Sequence, residues 1–117
     1  MAIQIERGAI ASAEAAEARL KQMGFSFFTG PLPVRTMEET HWHEVDVVLA
    51  AVEGSFQLKD GSTGAIHTVE AGDWTLTPSG TLHAFAADAP STVVVGFSEA
   101  IAPGELVPHP ASALPGS

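Results

Sequence analysis

Three histidines carry the strongest chemical signal in this 117-residue chain. In "THWHEVDVV", beginning at Thr40, His41 and His43 stand two residues apart. On an extended strand both side chains point to one face, close enough to hold a single metal ion. HxH alone is commonly a pair of exposed strand residues. It gains meaning from "GDWTLTPSGTLHAF", where Gly72, Pro78, Gly80 and His83 are spaced as a strand, a tight turn and a returning strand. That arrangement can bring a third imidazole beside the first two. Imidazole suits Fe, Zn, Cu and Ni, with Mn also in range, so ligand type does not choose the ion. The chain has no cysteine, which excludes thiolate ligands, Cys nucleophiles, disulfides and iron–sulfur clusters.

The elements that must position these residues are short. Residues 2–6, "AIQIE", alternate as an edge strand does, open to pairing with another chain. Residues 12–23, "SAEAAEARLKQM", are rich in helix formers, with Ser12 as N-cap and Gly24 just past the end. From Phe25 onward, β-branched and aromatic runs are punctuated by "TGPLP", "EG", "KDGSTG", "EAGD", "PSG" and "ADAPS". Many short strands with such punctuation indicate a sandwich or small barrel. Residues 52–55 and 59–62 read as hairpin turns, with glycine supplying positive φ. A last strand is expected at residues 105–107, ahead of a Pro-, Ala- and Ser-rich end.

The two histidine segments resemble the two motifs of the cupin superfamily, written G-x5-HxH-x3/4-E-x6-G and G-x5-PxG-x2-H-x3-N. Against the first the chain supplies His41, His43 and Gly54; against the second, Gly72, Pro78, Gly80 and His83. The resemblance covers residues 33–97. It implies an all-β, double-stranded β-helix (jelly-roll) barrel over residues 25–107; the residue patterns above place a strand and short helix before it, in 1–24, and a flexible C-terminal tail after it, 108–117. Three positions depart from the pattern: Arg35 at the first Gly, Val47 at the Glu and Ala87 at the final Asn. Strict alternation places Asp46 on the opposite face with Trp42 and Glu44, so Asp46 does not replace the missing carboxylate unless a bulge turns it inward. The site is then similar to the three-His variants of the superfamily.

A three-His set leaves the 2+ charge of an ion uncompensated and leaves positions open for a ligand, favouring an anionic, bidentate one. Val45, Val47 and Phe85 share the parity of the histidines and are expected in the substrate pocket wall; Glu39 shares it too and is a candidate general base, against the plainer reading of a solvated Glu38–Glu39 pair. His67 and His109 have no place in either motif and are read as non-functional. Phe25, Phe27 and Phe28 read as core or interface. The resemblance implies a metal-dependent small-molecule enzyme, foremost a non-haem Fe(II) dioxygenase-like activity on a β-dicarbonyl or enolate-like substrate. The alternatives are a non-redox lyase, isomerase or hydrolase, or a cupin that binds a metal or small ligand without turnover.

Fourteen acidic against five basic residues give a formal charge of −9, and no Lys/Arg cluster occurs. Nucleic acid and anionic membranes are therefore poor partners. No basic, apolar leader opens the sequence and no eighteen-residue apolar run follows, so the expected location is cytoplasmic. Trp42, Val48, Ala50 and Val52 make the outward face of the histidine strand more apolar than a solvated face requires. That face, covered by other segments of the chain or a second subunit, joins the resemblance in implying a homodimer.

Overall fold

The structure, a computed structural model, describes residues 2–99 and 107–113. The apolar runs form strands β1 (Gln4–Glu6), β2 (Ser26–Leu32), β3 (His41–Trp42), β4 (Val47–Glu53), β5 (Ser55–Asp60), β6 (Ile66–Glu70), β7 (Trp74–Thr77), β8 (His83–Ala86), β9 (Ser91–Phe97) and β10 (His109–Pro110). One helix, α1 (Ala13–Gln22), lies between β1 and β2. The strands make two five-stranded sheets, ordered β1, β7, β4, β9, β2 and β10, β3, β8, β5, β6. Named pairs are antiparallel throughout. From β2 to β9 the chain passes between the sheets at every link except β5–β6, which wraps it into a jelly roll.

Residues 52–55, expected to close a hairpin, instead carry the chain from the first sheet into the second. Gly54 makes this corner at a φ of 75°, and a Cβ there would lie only 2.9 Å from that of Ser91. Any larger residue would meet both strain and the start of β9. The β5–β6 link is the hairpin expected, its turn held by Asp60 Oδ1 accepting from Ser62 N at 2.9 Å. Gly64, not Gly61, supplies the positive φ there.

The interior between the sheets is filled by Leu32, Ala51, Phe56, Leu58, Val69 and Val93, with Leu49 and Val95 extending it toward Val45, Val47 and Phe97. The opposite face of the first sheet is covered by α1. Ser12 Oγ caps this helix by accepting from Ala15 N at 3.1 Å, and Gly24 leaves it at a φ of 77°. Leu20 and Ala16 are fully buried against Val48, Ala50, Val94 and Trp74. Burying a leucine this way contributes roughly 1.5–3 kcal/mol. The contact requires Gly96 on β9, where a Cβ would sit 2.4 Å from Leu20 Cδ2. The apolar outer face of β4 is thus covered by the chain's own helix, and it offers no argument for a second copy. Among the described residues no helix is long and apolar enough to cross a membrane.

Candidate metal centre

The β3–β8 ladder pairs His41 directly with His83. Their ring centroids lie 4.5 Å apart. His43, just beyond β3, puts its ring 4.8 Å from that of His41 and 5.1 Å from that of His83. One ligand nitrogen from each residue falls within 4.8 Å of the others, and no further described residue joins this group.

Hydrogen bonding fixes which nitrogens these are. Nδ1 of His41 faces the Glu39 carbonyl at 2.8 Å, Nδ1 of His43 the Val107 carbonyl at 2.9 Å, and Nδ1 of His83 the Thr81 carbonyl at 2.8 Å. A carbonyl can only accept, so each Nδ1 carries the proton and donates it. Each Nε2 then keeps its lone pair for a cation, and each ring is held in orientation by the same bond. Burial pushes the His83 imidazole down to about 4; the Thr81 carbonyl opposes this, and His41 and His43 add to it. Burial also lowers His43, against the effect of the Val107 carbonyl. Both shifts favour the neutral imidazole, the form that binds a metal without first losing a proton. The donor set and its tautomers fit a divalent transition ion.

A cavity of about 450 Å³ opens over His41 and His43, within the usual size of small-ligand sites. Glu38, Glu39 and Thr40 form one side and Phe85 another, while Pro108, His109 and Pro110 close it. His83 sits behind, only 4% exposed. Phe85 is therefore in the wall of this cavity. Val45 and Val47 are not: they are buried against Phe97 in the barrel interior. The turn at residues 79–80 pins the chain after His43, with Gly80 N donating to the His43 carbonyl at 2.9 Å and Ser79 Oγ to the Glu44 carbonyl at 2.8 Å. Val45 and Val47 keep the inward parity of His43, alternating with Glu44 and Asp46, but they pack on Phe97 farther along the interior than the cavity reaches. Asp46 is turned away as expected, its Oδ1 accepting from Ser79 N at 2.7 Å.

The carboxylate beside the imidazoles belongs to Glu38 rather than Glu39. Glu38 Oε1 lies 3.8 Å from His41 Nε2 and accepts from Phe85 N at 3.1 Å; Oε2 pairs with Arg35 Nη2 at 3.1 Å. Burial raises this carboxyl, against the lowering influence of His41, Arg35 and the Phe85 N–H. Glu39 is exposed and serves the site through its backbone carbonyl. The reason is a change of register. His41 pairs with His83 and Arg35 with Ala87, so one strand spends six residues where the other spends four. The surplus bulges, and Glu38 turns toward the ring that Glu39 would reach in a regular strand. Arg35 and Ala87, two of the departures from the cupin motifs, prove to be partners, exchanging two backbone hydrogen bonds of 3.0 Å.

His109, expected to be non-functional, lines the cavity and stacks on Trp42 with centroids 4.4 Å apart. In the stretch expected to be a flexible tail, β10 pairs with β3, matching His109 to Trp42 and Pro110 to His41. Most of the strand expected at 105–107 lies outside the described residues. His67 sits in β6, opposite Leu58 and away from the cavity.

No protein-family model and no curated protein matches the sequence. Solved structures do match. The chain is similar to a cupin-2 domain containing protein from Shewanella frigidimarina, with 20% identity over 62% of this chain and 68% of that one, at a TM-score of 0.53. It is also similar to the DMSP lyase DddQ from Ruegeria pomeroyi, with 18% identity over 74% of this chain and 43% of that one, at a TM-score of 0.59. A third likeness is to salicylate 1,2-dioxygenase from Pseudoaminobacter salicylatoxidans, with 18% identity over 63% of this chain and 20% of that one, at a TM-score of 0.55. Identities this low define the fold alone: the chain has a cupin-type jelly-roll fold, and its barrel carries a three-histidine site that could hold a metal ion.

Proposed function

We propose that this protein is a metal-dependent small-molecule enzyme of the cupin type, with a divalent ion on Nε2 of His41, His43 and His83. The form we favour is a non-haem Fe(II), dioxygenase-like activity on a small chelating substrate of the β-dicarbonyl kind. The carrying observation is that all three Nδ1 atoms are bonded to backbone carbonyls, which leaves three convergent Nε2 lone pairs and one tautomer for each ring. When bound, the ion supplies Lewis acidity and, as Fe(II), access to O₂ chemistry.

The chain's own residues do the rest. Phe85 and the Pro108–Pro110 edge give the cavity an apolar wall that limits water. Glu38, tied to Arg35 and Phe85 N, places negative charge beside His41 and offsets part of the charge of an ion there. The similarity to a dioxygenase of the same fold supports the oxidative form. The similarity to a lyase supports a non-redox second reading in which the same site polarises a carbonyl or a leaving group. A binding module without turnover is the rival from another class.

Metal content of the protein purified without chelator, wild type against His83→Ala, tests the reading. One equivalent in the wild type and none in the variant is expected; a wild type empty even after supplementation refutes it. Oxygen uptake with Fe(II) across diketones, thiols and flavonols then separates the readings. Uptake with one of these substrates supports the oxidative form, and silence across the panel favours the lyase-type reaction or the binding module.

A further inference from the structure

The segment from Val107 to Ala113 crosses the mouth of the barrel, and apolar burial does not explain its path: Val107 is 60% exposed. Its attachments are directional. The Val107 carbonyl accepts from His43 Nδ1 at 2.9 Å, β10 pairs with β3, and Trp42 Nε1 donates to the Ala113 carbonyl at 2.6 Å while its ring stacks on His109 at an interplanar angle of 26°. A turn from Ala113 N to the Pro110 carbonyl, at 2.9 Å, presents that last carbonyl to the indole. Prolines at 108 and 110 stiffen the chain on either side of His109 and lower the entropy lost on docking.

Two of the three histidines take their Nδ1 partner from within two residues of themselves; His43 takes it from a residue 64 positions away. The orientation of one imidazole therefore depends on whether the C-terminal segment is docked. We propose that this segment is a component of the metal centre, with Trp42 as the positioning residue that docks it and so sets the tautomer and orientation of His43. Because docking and ion binding share His43, each strengthens the other by the same factor. The same segment supplies Pro108, His109 and Pro110 to the cavity wall, so undocking it opens the cavity as well.

The proposal rests on the metal-site reading but can fail separately from it. The test compares wild type, Trp42→Ala, Trp42→Phe and a chain ended after Leu106. In the metal-free proteins, ¹⁵N NMR of the imidazoles reads the tautomers. His43 is expected as the Nδ1–H tautomer in the wild type and as a mixture in Trp42→Ala and the shortened chain, with His41 and His83 unchanged as internal evidence of folding. Titration with Zn(II) is expected to show the dissociation constant raised about tenfold in both, the scale on which lost partners of a ligating histidine act. Trp42→Phe keeps the stack on His109 and is expected to recover part of both effects. A His43 tautomer unchanged in Trp42→Ala and the shortened chain overturns the proposal, as does a changed tautomer with unchanged Zn(II) affinity. A wild type that takes up no Zn(II) refutes the proposed function, and the tautomer alone then decides the positioning role of Trp42.

Discussion

The two sheets of this barrel are held together by different means. In the first, β4 and β9 are seven residues each, pair along most of their length and bury apolar side chains on both faces. In the second, the strands that carry or close the site are shorter, with two residues each in β3 and β10 and four in β8. Burial fixes the first sheet without regard to any one contact. The site end of the second is fixed by single directional bonds: three imidazole–carbonyl pairs, Glu38 on Phe85 N and Trp42 on the Ala113 carbonyl. Stability and binding chemistry are thereby placed in different halves of one small fold, and damage to one half should leave the other largely intact.

The sharpest way to break that separation is a matched pair of substitutions. Leu20→Ala removes a fully buried side chain under the first sheet and is expected to cost about 2–5 kcal/mol in denaturant unfolding without altering the number of ions bound per chain. His83→Ala should abolish ion binding, by titration, while changing metal-free stability less than Leu20→Ala does. If Leu20→Ala at a temperature where it is folded loses the ion, the two halves are not independent.

The carboxylates offer a finer comparison. Glu38→Gln keeps an acceptor for Phe85 N but loses the charge, and is expected to weaken ion binding about tenfold. Glu39→Gln, whose backbone carbonyl is untouched, should stay within about twofold of wild type, since losing an exposed charge shifts binding by only a few tenths of a kcal/mol. Equal effects would mean that the register change around Glu38 has no chemical consequence.

Much of the fold was legible because its signals are local. Ser12, Gly24 and the helix between them follow from capping and propensity, and the histidines from their strand spacing. The parts that were not legible depend on distant pairing. Glu38 was missed because parity counts assume a regular strand, and the bulge between Arg35 and His41 exists only through their distant partners, Ala87 and His83. Val45 and Val47 face the interior as their parity implies, but parity does not tell how far the cavity extends along the chain, and they pack on Phe97 instead. His109 was passed over because its place beside Trp42 is set by a ladder spanning 67 positions, which no local periodicity announces. Of the expectations that needed a partner across the barrel, only the meeting of His83 with His41 was readable, because two motifs marked its two ends.

A smaller effect tests the scaffold side. Burial would push the Asp73 carboxyl up, but Glu70 N, Gly8 N and the Arg7 guanidinium, at 3.0, 2.9 and 2.7 Å, hold it below the usual aspartate value. A carboxyl with a depressed folded-state pKa binds fewer protons folded than unfolded, so its stabilisation is present above the unfolded aspartate pKa and is lost as pH falls through the folded one. Asp73→Asn is expected to cost about 1–2 kcal/mol at pH 7 and less near pH 3, measured by urea unfolding at both. A constant difference at the two pH values would contradict this. Smallest of all, His67→Ala should leave ion binding unchanged.

The central claim, that three imidazoles converge on one ion through Nε2, is tested most directly by X-ray absorption on the Zn(II)-loaded chain. The structure leads us to expect one ion per chain with three imidazole ligands, and no bound ion in His83→Ala. An ion surrounded by oxygen ligands alone, or a wild-type signal with fewer than three imidazoles, would contradict the account.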